Sequence, residues 1–203
     1  MRFPRATRLV IGFENHSEAT ACLEELRTRF AKFGLKLHEG KTRLIEFGRF
    51  AIEQRAMRGE SRPETFDFLG LTHKCAKTRE KGWFTIFRHS VAKRVRATLQ
   101  AIKANLRKRR HRPVGETGRW LRRVVQGWLN YHAVPGNSTR ISRFVREVIR
   151  LWLRSIRRRS QRGRSRWTWS RMTRLARRHL PNPRIIHPYP ILRFRARLKA
   201  GAV

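Results

Sequence analysis

The sequence is poor in acidic residues and in cysteine. Only 13 of its 203 residues are acidic, and Asp67 is the one aspartate. Two-metal phosphoryl chemistry needs clustered carboxylates to hold Mg²⁺, and this sequence shows no such cluster. Its two cysteines, Cys22 and Cys75, cannot build a disulfide framework, which favours a reducing compartment.

Apolar segments of the membrane type are also missing. No stretch approaches the roughly 18 consecutive apolar residues that a membrane span requires. Residues 1–8 lack the apolar core of a secretory signal. We therefore expect a cytoplasmic protein that does not insert into a membrane.

Nucleotide, metal and esterase motifs are absent or incomplete. Gly40-Lys41-Thr42 resembles the end of a phosphate loop, but such a loop needs glycine at position 35, where the chain has leucine. His73 and Cys75 lack a second Cys/His pair to complete four metal ligands. No Gly-x-Ser-x-Gly motif marks a nucleophile elbow. These absences predict no catalytic residue, no cofactor and no metal site.

Positive charge is abundant and unevenly spread. Lys and Arg number 50 against the 13 acids, so the net charge is +37. Residues 1–80 carry a net +5 and residues 81–203 a net +32, with Glu116 and Glu147 the only acids of the second part. Arginine, whose planar fork suits phosphate, dominates there. Nucleic acid is the expected partner, and an anionic membrane surface is the weaker alternative.

The first part of the chain has the pattern of a small α+β unit. Apolar residues recur at helical spacing from Ala19 to Phe30, after a capping residue at Asn15 or Ser17 and before a terminating glycine at Gly34. We expect strands at residues 9–13, 35–37, 42–47, 66–73 (broken at its glycine) and 83–87, and a loop at residues 49–64.

From residue 90 onward the apolar period becomes helical. Three apolar stripes predict a three-helix bundle over about residues 90–160. The stripes run from Val91 to Leu106, from Trp120 to Leu129 and from Ile141 to Ile156. Asn137 or Ser138 is expected to cap the third helix. A short fourth helix at about residues 170–179 precedes an extended, proline-containing tail.

The third stripe has arginines on the opposite side of its helix. At about 100° per residue, one face serves the core and the other is basic. Arg122, Arg123, Arg164 and Arg166 extend this basic surface. The predicted RNA-binding residues are Arg143, Arg146, Arg150, Arg154, Arg157, Arg158, Arg159, Arg122, Arg123, Arg164 and Arg166.

Trp167 and Trp169, which flank Thr168, have two open interpretations. Their rings either stack on unpaired bases or pack the last helix against the bundle.

Eight short blocks of sequence, spread along the chain, have a recognisable order and spacing. They are Leu9-Val10-Ile11-Gly12-Phe13, Gly34-Leu35-Lys36-Leu37-His38, Lys41-Thr42-Arg43, Phe66-Asp67-Phe68-Leu69-Gly70-Leu71-Thr72-His73, Arg119-Trp120-Leu121, Gly127-Trp128-Leu129-Asn130-Tyr131-His132, Pro135-Gly136-Asn137 and Pro181-Asn182-Pro183-Arg184-Ile185-Ile186-His187-Pro188-Tyr189-Pro190. Together they resemble the C-terminal part of bacterial group II intron-encoded proteins, the reverse transcriptase/maturase family. Their order and spacing carry the resemblance, which covers nearly the whole chain after Arg8.

This resemblance implies an α+β chain in three segments. Residues 1–88 correspond to a remnant of the polymerase palm, and residues 89–162 to the helical thumb, the maturase-specific X region. Residues 163–203 form a basic C-terminal helix and tail. In the family, the thumb and X region binds the intron RNA and helps it reach its splicing-competent fold. The implied partner is group II intron RNA or another structured RNA, with DNA as a further possibility.

The chain departs from the family at the polymerase active site. The two catalytic aspartates of the family's box fall on Thr7 and Arg8, and Arg5 replaces its tyrosine. Neither a threonine nor an arginine holds Mg²⁺ as a carboxylate does. The resemblance therefore implies no polymerase activity, and the Cys- and His-rich endonuclease module of some members has no counterpart here.

Four functions stay open on the sequence alone. The leading interpretation is an RNA-binding maturase-type module, a truncated remnant of a full intron protein. A second is one part of a split reverse transcriptase whose catalytic palm is encoded separately. The third is a general nucleic-acid-coating protein, and the fourth is a remnant without function.

Overall fold

The structure is a computed structural model that describes residues 9–78, 82–160 and 163–189. The chain has the predicted α+β class. Its helices are α1 (His16–Lys32), α2 (Ala51–Met57), α3 (Ala92–Lys108), α4 (Val114–His132), α5 (Ser138–Arg157), α6 (Gly163–Arg166) and α7 (Trp169–His179). Its strands β1 (Phe66–Phe68), β2 (Leu71–Lys77) and β3 (Phe84–Ser90) form one antiparallel sheet in the order β1-β2-β3.

The contacts within the chain divide it into two compact units. The correspondence of its segments to a polymerase palm and thumb stays a prediction. The first unit, called the front unit here, comprises the described residues of 1–68 and 74–85. The second, called the back unit, comprises those of 69–73 and 86–203. Strands β2 and β3 are thus shared between the units. Residues 1–8, including Thr7 and Arg8, lie outside the described residues, as do residues 190–203 of the expected tail.

Helix α1 confirms the helix predicted in the front unit. It follows Asn15 and ends before Gly34, whose φ of +66° is the left-handed conformation expected of a terminating glycine. The Asn15 side chain makes no capping bond to the backbone and instead donates to Glu18 (2.8 Å). No residue of α1 is buried, although its spacing is amphipathic.

Three predicted strands and one predicted loop of the front unit are wrong. Residues 9–13, 35–37 and 42–47 form no strand, and residues 39–41 make a single 3₁₀ turn. A strand needs a hydrogen-bonded neighbour, and these short apolar runs have none among the described residues. The expected loop at residues 49–64 contains helix α2, because Ala51-Ile52-Glu53-Gln54-Arg55-Ala56-Met57 consists mostly of strong helix formers.

The sheet forms where the two other strands were predicted, at residues 66–73 and 83–87. The break expected at Gly70 is the turn between β1 and β2, where Leu69 and Gly70 have φ values of +46° and +77°. Glycine adopts that conformation without the cost of a Cβ clash. The strand predicted at residues 83–87 is present as β3 and continues to Ser90.

The back unit holds a continuous apolar core. Helices α3, α4 and α5 appear where the three stripes predict them, and α5 supplies Trp152 at its centre with no exposed surface. The predicted fourth helix is α7, which joins the same core rather than standing apart. The deeply buried apolar residues include Ile102, Leu106, Leu121, Val125, Leu129, Ile141, Phe144, Val148, Trp152, Ile156, Met172 and Ala176.

Asn137 connects distant parts of the back unit and does not cap α5 with its side chain. Its Oδ1 accepts a hydrogen bond from the Ser90 backbone N–H (3.1 Å), and its Nδ2 donates to Ser90 Oγ (2.8 Å) and to the His132 carbonyl (2.7 Å). Asn137 is thus the N-cap residue of α5, as predicted, but its side chain makes no capping hydrogen bond. A buried amide that satisfies three partners stabilises the junction of β3, α4 and α5, because each partner would otherwise be a desolvated polar group.

The end of the described chain returns to the bundle. Residues 181–189 form neither helix nor strand, as expected for a proline-containing tail. The backbone N–H of Ile186 donates to the Ala133 carbonyl (3.0 Å), and a His187 ring nitrogen lies 2.6 Å from the Asn130 carbonyl oxygen. Among the described helices, none is both long and apolar enough to span a membrane.

Candidate nucleic-acid interface

Helix α5 separates an apolar side from an arginine side. Ile141, Phe144, Val145, Val148, Trp152 and Ile156 are buried, whereas Arg143, Arg146, Arg150 and Arg154 are exposed. These four arginines lie within about 80° of one another around the helix axis, because each residue advances about 100°. We call them the α5 arginine face.

Acids compensate little of the charge on this face. Arg150 donates to Glu147 across one helical turn (2.6 Å), and both side chains are substantially exposed. Such a solvated pair contributes little stability and is easily replaced by another anion. Arg143, Arg146 and Arg154 form no ion pair with the described acids. Most of the face therefore presents unpaired positive charge to solvent.

Two of the predicted RNA-binding arginines, Arg157 and Arg159, have half-buried side chains. Arg157 is half-buried and donates from Nε to the Trp167 carbonyl (2.8 Å). This bond holds the end of α5 against the segment that precedes α7. Arg159 is also half-buried, and burial lowers its pKa from the ordinary value. Neither side chain is as free for a ligand as the sequence suggests.

The other predicted arginines divide by position. Arg122 and Arg123 are exposed on α4, and Arg158 is exposed directly after α5. Arg166 is exposed on the short helix α6. The side chain of Arg164 lies outside the described residues. The arginines predicted as RNA-binding thus occupy α4, α5, α6 and the end of α5 rather than one helix.

Helix α7 has a second arginine face that the sequence prediction missed. Arg171, Arg174 and Arg178 are exposed, while Met172 and Ala176 are buried in the core. The signal was present in the sequence, because the predicted helix contains no acid and its arginines recur at spacings of three and four residues. These residues add to the basic surface of the back unit.

Trp167 and Trp169 differ in their surroundings. Trp167 is half-buried against the core of the back unit, and the Arg171 guanidinium lies 5.3 Å from its ring centroid. That arrangement favours the packing interpretation for Trp167. Trp169 is 41% exposed at the start of α7. Its ring remains accessible for stacking on an unpaired base.

The cysteines and carboxylates assemble no metal centre among the described residues. No group of three or more His, Cys, Asp or Glu side chains is placed there to hold an ion. Cys75 is half-buried near the Gly48 carbonyl (3.7 Å), and burial raises the pKa of its thiol. A thiol with a raised pKa is less reactive, because the thiolate is the nucleophile.

No family model, curated protein or solved structure matches the chain.

Proposed function

We propose that the chain binds structured RNA as a maturase-type module that supports the folding and splicing of a group II intron RNA. The observation that carries the proposal is the two-sided α5 helix. Trp152 and its apolar neighbours are buried, and Arg143, Arg146 and Arg154 are exposed without an acidic partner among the described residues. The RNA class comes from the sequence blocks that resemble the reverse transcriptase/maturase family.

Phosphate is the chemistry that best matches this surface. Arginine donates to phosphate oxygens through a planar fork, and phosphate contacts supply most of the affinity of basic proteins for nucleic acid. A face that simply met solvent would mix acids with bases, whereas α5 has Glu147 as its single acid. In this proposal the RNA carries out the splicing chemistry and the chain acts by binding, without an enzymatic step of its own.

Salt-dependent binding to a structured RNA hairpin tests the proposal. If six to ten arginines contact phosphates, the association constant falls by about 10³–10⁵ between about 50 and 200 mM salt, because bound counterions are released. Replacing Arg146, Arg150 and Arg154 by Gln lowers the slope of this dependence by about 2–3 units. The measurement is a filter-binding titration at several salt concentrations.

The control for the triple Gln variant is its circular dichroism spectrum and melting curve. The three side chains are exposed, so both should match those of the wild type. A folded variant with an unchanged salt slope contradicts the proposed interface. Equal affinity for duplex DNA and structured RNA would instead favour a general nucleic-acid-coating protein.

The second candidate function is one part of a split reverse transcriptase. The observation that favours it is the apolar surface of the front unit, where Leu9, Phe33 and Leu35 are more than half exposed. Surfaces of this kind are typical of contacts with another polypeptide. Under the leading proposal, the purified chain gives no Mg²⁺-dependent extension of a primer on poly(rA)/oligo(dT), with heat-treated protein as the control.

Extension that appears only when a separately encoded palm polypeptide is added would favour the split enzyme. The reading frames upstream of the gene are the place to look for such a polypeptide.

A further inference from the structure

A basic groove lies between α3 and α5 in the back unit. Its volume is about 230 Å³. Its walls carry five cationic side chains, two from α3, one that follows α3 and two from α5 or its end. They are Lys103, Arg107, Arg110, Arg154 and Arg158. The sequence prediction included Arg154 and Arg158 but not Lys103, Arg107 or Arg110.

Packing of the two helices fixes the position of these cations. Leu106 lies in the core at 2% exposure, and its carbonyl accepts a hydrogen bond from Ser155 Oγ (3.2 Å). Both residues line the groove together with Leu151. Lys103 and Arg107 are spaced by four residues, so they follow one side of α3 next to its buried stripe, and Arg110 lies just beyond the end of the helix.

No described acid neutralises the groove. Glu116 pairs with Arg109 and Arg112, and Glu147 pairs with Arg150. None of the five groove cations takes part in an ion pair of the described residues. Like charges held this close repel one another, and a bound anion relieves that repulsion.

Arg110 is the half-buried cation among the five that line the groove. Its Nε is buried and has no hydrogen-bond partner among the described residues. A buried donor without a partner costs free energy. The ligand that suits five cations without a described acidic partner is anionic, compact and rich in acceptor oxygens.

We propose that this groove is a binding site for a backbone phosphate of nucleic acid. The proposal rests on the RNA-binding function above and assigns to it a specific anchoring point. No aromatic ring is among the residues that line the groove, so it offers no platform for a base. Arg154 belongs both to the groove and to the exposed α5 arginine face, so a strand bound along that face extends to the groove.

The test compares two double variants of α3. Lys103→Gln with Arg107→Gln removes two groove cations, and Lys93→Gln with Arg96→Gln removes two cations of α3 that do not line the groove. All four side chains are exposed, each pair has one lysine and one arginine, and the net charge changes equally. Any difference between the pairs therefore reports position rather than charge.

Filter binding of the full chain to a structured RNA hairpin is the measurement. We expect the groove pair to lose at least about 10-fold more affinity than the control pair and to lower the salt slope by about 2 units. We expect the control pair to change that slope by less than about 0.5 units, since it contacts no fixed phosphate. Melting curves of both variants should match the wild type, and if a pair fails to fold, Arg107→Gln against Arg96→Gln repeats the comparison.

The possible failures are distinguishable. If the wild type shows no salt-dependent RNA binding, the proposed function itself fails. If the wild type binds RNA but both pairs lose affinity equally, the groove assignment is overturned while RNA binding stands. A third outcome combines equal losses of RNA affinity with an effect of inorganic pyrophosphate on the melting temperature. If pyrophosphate raises the melting temperature of the wild type but not that of the groove pair, the groove binds free phosphate and the assignment to backbone phosphate is overturned.

Discussion

The front and back units differ in how much apolar surface they bury and in how many of their arginines pair with acids. In the described part of the front unit, Ala51 and Pro63 are the only buried residues. Arginines such as Arg55 and Arg58 pair there with Glu46 and Glu60. The back unit buries a large apolar core, and most of its described arginines form no ion pair with a described acid. The proposed nucleic-acid interface therefore lies on the unit with the larger buried core, where packed helices hold the uncompensated charge in place.

Hydrogen exchange should show the largest difference between the units. Amides in the middle of α5 exchange only when the core opens, at a cost of several kcal/mol, whereas α1 has no buried residue to protect it. We expect amides of α5 to exchange at least about 10³-fold more slowly than those of α1. Slower exchange over residues 9–47 than in α5 would reverse the comparison.

Replacing Trp152 by Ala should strongly destabilise the back unit. The side chain is fully buried, and removing it leaves a cavity at a cost of about 3–5 kcal/mol. The free energy of unfolding is measured by urea denaturation followed by circular dichroism. Trp169→Ala is the matched control, because its ring is 41% exposed and should cost less than about 1 kcal/mol. Equal costs for the two tryptophans would contradict the placement of the core.

Two glycine substitutions in the back unit should change stability in opposite directions. Gly136 has φ +85°, and an added Cβ would lie 3.2 Å from the Phe87 Cα, so Gly136→Ala should cost about 1–3 kcal/mol. Gly127 lies within α4 with open space around it, so Gly127→Ala should stabilise by about 0.5–1 kcal/mol. Thermal unfolding measures both, and a stabilising Gly136→Ala would contradict the described close approach.

The smallest expected effect is a pH dependence of the back unit. Burial lowers the pKa of His132 below its ordinary value of 6.5, with Arg94 adding to the shift and the bond to the Trp128 carbonyl opposing it. Because the unfolded chain binds this proton more readily, stability should fall as the pH drops below about 6.5. His132→Phe keeps an aromatic ring against Trp128 but removes the titrating group. The melting temperature of this variant should therefore decrease less than that of the wild type as the pH falls. An unchanged pH profile in that variant would show that His132 is not responsible.

Long, periodic segments were predictable from sequence, and long-range contacts were not. The stripe from Ile141 to Ile156 fixes the buried side of α5 and hence its arginine face, because helical spacing depends only on local sequence. The bonds between Asn137 and Ser90 and from Ser155 to Leu106 join residues that no local pattern connects.

The strand predictions in the front unit show a second limit. Residues 35–37 and 42–47 have strand-like composition, yet pairing depends on a neighbouring strand that local sequence does not supply. The α3–α5 groove shows a third limit. Lys103 and Arg107 stand on one helix and Arg158 follows another, so their proximity depends on how the two helices pack.

Arginine-specific labelling with phenylglyoxal, with and without a structured RNA hairpin, tests the central claim most directly. Mass spectrometry reads the modification of each arginine in the folded chain. The account predicts that RNA protects Arg143, Arg146 and Arg154, which pair with none of the acids that the structure describes. It predicts that exposed arginines of the front unit, such as Arg29 and Arg49, are labelled equally with and without RNA. Equal protection of both units, or protection confined to the front unit, would contradict it.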